Sequence, residues 1–157
     1  SVAIRIGQQE NAQGSDDQLD EDTRVSEAGT NNLSGIKVMV IDDSNTIRKS
    51  AEIFLMQAGC QVLLAEDGFD ALAKIADHQP DIVFCDIMMP RLDGYQTCSL
   101  IKKNARFSNT PVIMLSSKDG LFDRARGRMV GSEEYLTKPF TKEGLLKTVA
   151  AHAPAGA

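Results

Sequence analysis

The sequence contains few cysteines and no long hydrophobic stretch. Its three cysteines, Cys60, Cys85 and Cys98, are odd in number and widely separated, and none forms a C-x-x-C pair. This pattern argues against a disulfide framework and a zinc site, and predicts free, mostly buried thiols in a reducing cytoplasm. No apolar run approaches the roughly 18 residues of a membrane span, and no secretory signal is visible. We therefore expect a cytoplasmic protein without membrane insertion.

The sequence also has no excess of positive charge, and its net charge of −5 resides in one segment. Residues 1–34 contain seven acidic and two basic residues, whereas the remainder contains fifteen of each sign. An acidic segment repels nucleic acid and anionic membranes, so neither is an expected partner. Because apolar residues are few there, we expect 1–34 to be disordered. A short strand through Val2, Ile4 and Ile6 is the alternative for its beginning.

From residue 36 onward, short apolar runs alternate with stretches of helical periodicity. The runs are continuous rather than alternating, which is typical of strands buried on both faces of a parallel sheet. They comprise 37–41, 62–65, 82–85, 112–115 and the shorter 135–136.

Five helices are predicted between and after these runs, from apolar residues spaced three and four apart. Ser44 is a candidate N-cap for the first helix and Thr141 for the last. Strand and helix alternate five times, which predicts an α/β fold with a doubly wound, five-stranded parallel sheet. We assign 35–153 to this domain and 154–157 to a tail. The helical stripes are 47–58, 71–76, 95–101, 121–129 (including Leu121, Phe122 and Ala125) and 145–150.

Polar residues follow four of the strands, where a doubly wound sheet binds its ligands. Asp42 and Asp43 follow the first strand, Asp86 the third, Ser116 the fourth and Lys138 the fifth. Converging carboxylates repel one another, and Mg²⁺ would relieve that repulsion. A carboxylate can attack phosphorus to form an acyl phosphate, while a lysine and a serine bind phosphoryl oxygens.

Each of these residues has a simpler interpretation. Asp-Asp-Ser before a helix often only caps it, and an Asp after a strand often begins a turn. Ser116 could cap the fourth helix, and Lys138 before a proline could be a solvated loop residue. The phosphoryl-transfer hypothesis depends on all four positions occurring at successive strand ends, which the simpler interpretations do not require.

Together these segments resemble the receiver domain of bacterial response regulators of the chemotaxis (CheY-like) type, across residues 36–152. The motifs are Val-Ile-Asp-Asp-Ser at 40–44, Asp-Ile-Met-Met-Pro-Arg-Leu-Asp-Gly at 86–94, Ser116, and Lys-Pro-Phe at 138–140. The spacings of 30 residues from Asp86 to Ser116 and 22 from Ser116 to Lys138 also fit. The resemblance implies a flavodoxin-like sheet with strand order 2-1-3-4-5.

The resemblance also implies a role for each site residue. Asp86 would be the phosphoacceptor, Lys138 and Ser116 would bind the phosphoryl oxygens, and Ser116 and Tyr135 would act as switch residues. The bond between Lys138 and Pro139 would be cis. Mg²⁺ would be held by Asp43, Asp86 and the backbone carbonyl of Met88, with Asp42 acting through water.

The implied protein is a stand-alone response regulator and not an enzyme, beyond weak self-phosphorylation and self-dephosphorylation. Its donor would be a chemotaxis-like histidine kinase or its phosphotransfer domain. Its effector would be a pilus or motor-control protein that binds the face of the fourth helix, fifth strand and fifth helix. The longer phrases 67–77, 88–98 and 114–123 resemble regulators of twitching motility by type IV pili.

Other functions stay open at this point. A phosphate sink or a flagellar chemotaxis regulator would use the same site, and a haloacid-dehalogenase-like phosphatase would use similar residues. Arg124, Arg126 and Arg128 of the fourth helix form either a solvated basic face or a site for an acidic partner.

Overall fold

The structure is a computed structural model that describes residues 33–117, 126 and 128–153. Several predicted features lie outside these residues. They are the segment up to residue 32, the tail 154–157, and Leu121, Phe122, Arg124 and Ala125 of the fourth helix.

Five parallel strands form one sheet in the described part of the chain. In order of position they run β2-β1-β3-β4-β5, so the predicted strand order and fold class are confirmed. All five predicted strands are present, and each of the last four is longer by one or two residues than its apolar run. The strands are β1 Lys37–Ile41, β2 Gln61–Ala65, β3 Ile82–Asp86, β4 Val112–Ser116 and β5 Glu134–Thr137.

The depth of burial differs between central and edge strands. β3 and β4 are buried throughout, and in β1 only Lys37 is partly exposed. β2 and β5 lie at the two edges, where most of their residues are partly exposed. Both faces of these two strands still pack against the core, with Leu64 and Leu136 on one face and Leu63 and Tyr135 on the other, but their burial is less complete than predicted. A short apolar run does not reveal how many neighbouring strands cover it.

The helices begin at residues whose side chains cap them. Ser44 accepts a hydrogen bond from the backbone N–H of Ile47, and Thr141 accepts one from Gly144, so both predicted caps are confirmed. Asp67 and Asp93 cap the second and third helices in the same way. None of the helices in the described residues is long and apolar enough to span a membrane. The helices are α1 Asn45–Gln57, α2 Gly68–His78, α3 Gly94–Lys103, α4 (residues 126 and 128–130) and α5 Lys142–His152.

Two hydrophobic clusters cover the two faces of the sheet. One contains Leu55 of α1 and Leu145 of α5, and the other contains Ile75 of α2 and Ile101 of α3. Alternate residues of β1 contribute to opposite clusters, as expected for a strand between two helical layers. The three cysteines are buried and free, as predicted.

The loop from β3 to α3 is held close to the end of β3. Gly94 donates its backbone N–H to the carbonyl of Ile87 at 2.9 Å. A Cβ at Gly94 would lie only 2.1 Å from the carbonyl oxygen of Asp86. This close approach requires glycine, and it positions the loop 87–93 beside the carboxyl end of β3.

Candidate functional site

Three carboxylates converge at the carboxyl ends of β1 and β3. These strands are neighbours, and their last common pair is Ile41 with Cys85, so the residues that follow meet at one edge. One carboxylate oxygen from each of Asp42, Asp43 and Asp86 lies within 4.8 Å of the others. Asp42 and Asp86 are buried and Asp43 is exposed, so the cluster extends from the interior to the surface.

Asp42 is fixed by hydrogen bonds on both carboxylate oxygens. Its Oδ1 accepts the backbone N–H of Ser44 at 2.8 Å, and its Oδ2 lies 3.2 Å from Nζ of Lys138. Its backbone carbonyl accepts a hydrogen bond from Arg48. The side chain of Asp42 is fully buried. Of the three carboxylates in the cluster, that of Asp43 is the one exposed to solvent.

Lys138 reaches the cluster from beyond β5. Its Nζ lies 3.0 Å from Oδ1 of Asp86 as well as 3.2 Å from Asp42. Its backbone N–H donates to the carbonyl of Ser116, and the bond to Pro139 is cis, as predicted. Burial lowers the pKa of Lys138, but the hydrogen bond to Asp86 and the charges of both carboxylates outweigh burial and raise it. Lys138 is therefore a fixed cation at neutral pH.

Asp86 ends β3 and is almost fully buried. Burial raises its pKa to about 6, although the hydrogen bond from Lys138 opposes the shift. The nearby charge of Asp42 raises the pKa further, and the backbone N–H of Met88 donates weakly to its Oδ1 at 3.4 Å. A carboxylate with a raised pKa is a stronger base, and it is kept largely ionised at neutral pH.

The other predicted site residues lie around this centre at different depths. Ser116 is the buried last residue of β4, the strand next to β3. Tyr135 pairs with Met114 on β4 and thus lies further back along β5. The side chain of Met88 is 75 % exposed, and its backbone N–H contacts the cluster.

Sequence reasoning missed the contacts of Tyr95. It treats Tyr95 only as an apolar residue of the third helix, whereas the two hydroxyl oxygens of Tyr95 and Tyr135 are 2.9 Å apart in a hydrogen bond. The guanidinium of Arg126 lies 4.5 Å from the centre of the Tyr95 ring. These residues come from three separate elements, so no local spacing indicates that they meet.

The two described arginines of the fourth helix, Arg126 and Arg128, have different neighbours. Arg126 stacks on α3, whereas Arg128 lines a cavity of about 310 Å³ with Tyr135 and residues 132–134. Both side chains are exposed but point in different directions, because residues two apart in a helix point about 200° apart, and contact with an acidic partner stays a prediction.

A five-stranded parallel sheet with buried carboxylates and a lysine at its carboxyl edge defines a class of phosphorylation-dependent signalling proteins. The family model described as response regulator receiver domain matches residues 38–150. This chain belongs to that family, whose members act as signalling switches and not as classical enzymes. The match does not favour the phosphatase alternative.

Individual relatives are similar over most of the chain. Protein PilG of Pseudomonas aeruginosa is 70 % identical over 120 residues, which are 76 % of this chain and 89 % of PilG. Protein PilH of the same organism is 40 % identical over 113 residues, covering 72 % of this chain and 93 % of PilH. The structure of chemotaxis protein CheY4 of Vibrio cholerae superposes with a TM-score of 0.74 and 33 % identity, covering 76 % of this chain and 99 % of CheY4.

Proposed function

We propose that this protein accepts a phosphoryl group on Asp86 from a histidine kinase or its phosphotransfer domain, and that the modification switches its contacts with an effector. The observation that carries this proposal is the buried carboxylate of Asp86, 3.0 Å from Lys138 and within a cluster of three carboxylates. A capping or turn residue would need neither the cluster nor the lysine.

We infer that the cluster holds Mg²⁺. The donors are hard oxygens from two neighbouring strand ends, close enough for one small cation, and such donors suit Mg²⁺. Asp43, Asp86 and the backbone carbonyl of Met88 would be the ligands, and Asp42 would act through water. The ion would supply positive charge against the phosphoryl oxygens when bound.

In the proposed reaction, a carboxylate oxygen of Asp86 attacks the phosphorus atom of the donor phosphohistidine. A phosphorus–oxygen bond forms as the phosphorus–nitrogen bond of the donor breaks, and the imidazole nitrogen of the donor keeps the bonding electrons. The ammonium group of Lys138 is already hydrogen-bonded to Asp86. It would therefore lie close enough to bind a negatively charged phosphoryl oxygen after the transfer. Ser116, at the end of the neighbouring strand, would donate a hydrogen bond to another phosphoryl oxygen.

The switch would then operate through Ser116 and Tyr135. Phosphorylation replaces the single negative charge of the Asp86 carboxylate with a phosphoryl group of about −1.5 to −2 charges at the same buried point, which favours the conformation that best accommodates it. Movement of Ser116 toward the phosphoryl group would leave space behind it for the Tyr135 ring. The face of α4, β5 and α5 would change with it, and the effector would bind there.

The biological role that we propose is control of twitching motility by type IV pili, downstream of a chemotaxis-like kinase. The support is the 70 % identity to PilG, together with the matching phrases noted in the sequence. A phosphate sink would contain the same site, so the effector contact must be tested separately from phosphorylation.

Intact mass spectrometry tests the phosphoacceptor. The full chain is incubated with acetyl phosphate and Mg²⁺, and we expect one added phosphoryl group that hydroxylamine removes. Asp86→Asn should abolish the addition, because an amide cannot form the acyl phosphate. Asp77→Asn is the matched control, since Asp77 is an exposed acid on α2. An unchanged mass gain in Asp86→Asn would exclude Asp86 as the acceptor.

A further inference from the structure

A groove of about 380 Å³ lies between α3 and α4, and among the described residues it shares no lining residue with the cavity that Arg128 lines. Its base is formed by the buried ring of Tyr95 and the half-buried side chains of Leu92, Ser99 and Val130. Its rim is exposed and comprises Gln96, Leu100, Lys103 and Arg126. The proposed phosphoryl transfer uses none of these residues.

The groove has an apolar anchor point. The side chain of Leu100 is 44 % exposed at its edge, beside the half-buried Leu92 and Val130. An apolar side chain from a partner would remove these groups from water, at about 25 cal/mol per Å² of buried apolar area. Ser99 at the base and Gln96 at the rim provide polar groups for hydrogen bonds with a partner backbone.

Among the described residues, both charged side chains that line the groove are positive. They are Lys103 and Arg126, and no described Asp or Glu lines the groove. Neither cation has a carboxylate partner within the described part of the chain, in contrast to Lys102, whose Nζ lies 2.9 Å from Glu133. Two cations that have no described carboxylate partner, placed around an apolar base, match a ligand that carries carboxylates beside apolar side chains.

We propose that the groove between α3 and α4 is a docking site for an acidic amphipathic segment of a partner protein. An apolar side chain of that segment sits against Leu92, Leu100 and Val130. Its carboxylates pair with Lys103 and Arg126 at the two sides of the groove. This docking does not require phosphorylation of Asp86 and extends beyond the proposed function.

The groove is connected to the switch residue by direct contacts. Arg126 stacks on the ring of Tyr95, and the hydroxyl of Tyr95 is hydrogen-bonded to that of Tyr135. Displacement of Tyr135 must break or rearrange this hydrogen bond at the base of the groove. Occupancy of the groove and the position of Tyr135 therefore affect one another, and this consequence alone rests on the proposed function.

The probe for the test is a fluorescein-labelled helical peptide with Leu and Phe on one face and Glu on the other. The matched control peptide has Lys in place of every Glu. Fluorescence anisotropy measures binding to the full chain, and chemical-shift changes of amide NMR signals locate the bound peptide. We expect the acidic peptide alone to bind, with changes concentrated at α3 and α4.

Variants with matched controls determine whether this groove is responsible. Lys103→Glu, Arg126→Glu and Leu100→Ser should each weaken binding at least tenfold. Lys49→Glu, Arg106→Glu and Met56→Ser make the same changes at other exposed positions and should leave binding unchanged. Absence of binding, equal binding of both peptides, or equal losses in the controls would overturn the proposal.

Two further measurements test whether the groove binds nucleic acid or a second copy of this chain instead of an acidic protein segment. If single-stranded DNA binds with the same variant dependence and at least equal affinity, the groove recognises negative charge in general, and protein docking is wrong. If the unliganded chain is a dimer that Leu100→Ser dissociates, the occupant is a second copy, and the proposed partner is wrong. A monomer that does not bind DNA supports the proposal.

Tyr95→Phe tests the connection to Tyr135 independently. The variant keeps the ring beneath Arg126 and removes only the hydroxyl. We expect it to bind the acidic peptide normally while losing the change in affinity that acetyl phosphate produces in the unmodified chain. Normal binding with an undiminished phosphorylation effect would overturn the connection and leave the docking site intact. Asp86→Asn shows separately whether the effect of acetyl phosphate depends on the proposed acceptor.

Discussion

Burial and ion pairing oppose one another at Asp86. Its side chain is almost fully buried, which disfavours the charged form, while Lys138 at 3.0 Å favours it. Burial is the stronger influence and raises the pKa of Asp86 to about 6, compared with 3.8 in the absence of a protein environment. The metal-free folded chain therefore contains an ionised group that would be more stable in water, which is common where a residue is selected for reactivity.

This difference predicts how stability depends on pH. The folded state binds the Asp86 proton more tightly than the unfolded state, so ionisation of Asp86 disfavours folding. The destabilisation is absent below about pH 4, grows as the pH rises, and is complete above about pH 6. Asp86→Asn should therefore increase the free energy of unfolding by about 1–3 kcal/mol near neutral pH and by almost nothing near pH 4.

Urea unfolding in the presence of EDTA measures this effect at the two pH values. Asp77→Asn, at an exposed position, should show no comparable pH-dependent gain. A loss of stability in Asp86→Asn near neutral pH would mean that the contact with Lys138 outweighs the cost of burial.

At the scale of elements, the start of α3 determines how the loop 87–93 lies beside β3. Asp93 accepts the backbone N–H of Gln96, and the side chain of Gln96 accepts the backbone N–H of Asp93, which forms a capping box. The next residue, Gly94, approaches the backbone of β3 so closely that no Cβ fits. The packing of α3 against β3 thus sets the position of Met88 relative to Asp86.

Gly94→Ala is therefore expected to destabilise the fold by about 3 kcal/mol, because its Cβ would meet the rigid backbone at Asp86 and Ile87. Gly144→Ala is the matched control in α5, where the nearest atom to an added Cβ is the Thr141 hydroxyl at 3.1 Å. We expect that change to stay within about 1 kcal/mol, since alanine favours a helix over glycine. Thermal and urea unfolding measure both variants, and similar losses would show that the close approach at Gly94 is unimportant.

On the scale of the whole molecule, one sheet supports separate surfaces at its carboxyl edge and on its helices. The carboxylate cluster lies at the edge, the cavity with Arg128 and Tyr135 lies between α4 and β5, and the acidic-segment groove lies between α3 and α4. The hydrogen bond between the hydroxyls of Tyr95 and Tyr135 joins this cavity to the groove. A change in the position of Tyr135 would therefore affect both the cavity and the groove.

If the pilus role is correct, this chain should replace PilG in Pseudomonas aeruginosa cells that lack it. The 70 % identity supports retention of the partner surfaces, so we expect twitching zones to be restored to at least half their normal diameter. Asp86→Asn should give clearly altered zones at equal protein level, measured by immunoblotting. Normal zones with Asp86→Asn would show that the role does not require phosphorylation of this residue. No restoration by the unmodified chain would contradict the pilus assignment.

The sequence by itself determined the order of strands and helices, the parallel character of the sheet and the polar candidates at the strand ends, which are Asp42, Asp43, Asp86, Ser116 and Lys138. These follow from local patterns: continuous apolar runs predict strands, and polar residues at their ends predict a site at the carboxyl edge. Such patterns do not locate the ends of the strands. Asp86 is the last residue of β3 and Ser116 the last residue of β4, although neither residue is apolar.

Only the tertiary structure decided which residues from distant elements meet. Lys138 contacts both Asp42 and Asp86, Tyr95 bonds to Tyr135, and Arg126 and Arg128 face different neighbours. These contacts depend on how helices pack on the sheet, and sequence periodicity specifies the face of a helix but not its neighbour. The partial exposure of β2 and β5 has the same cause, because strand position in a sheet is a property of the assembled fold.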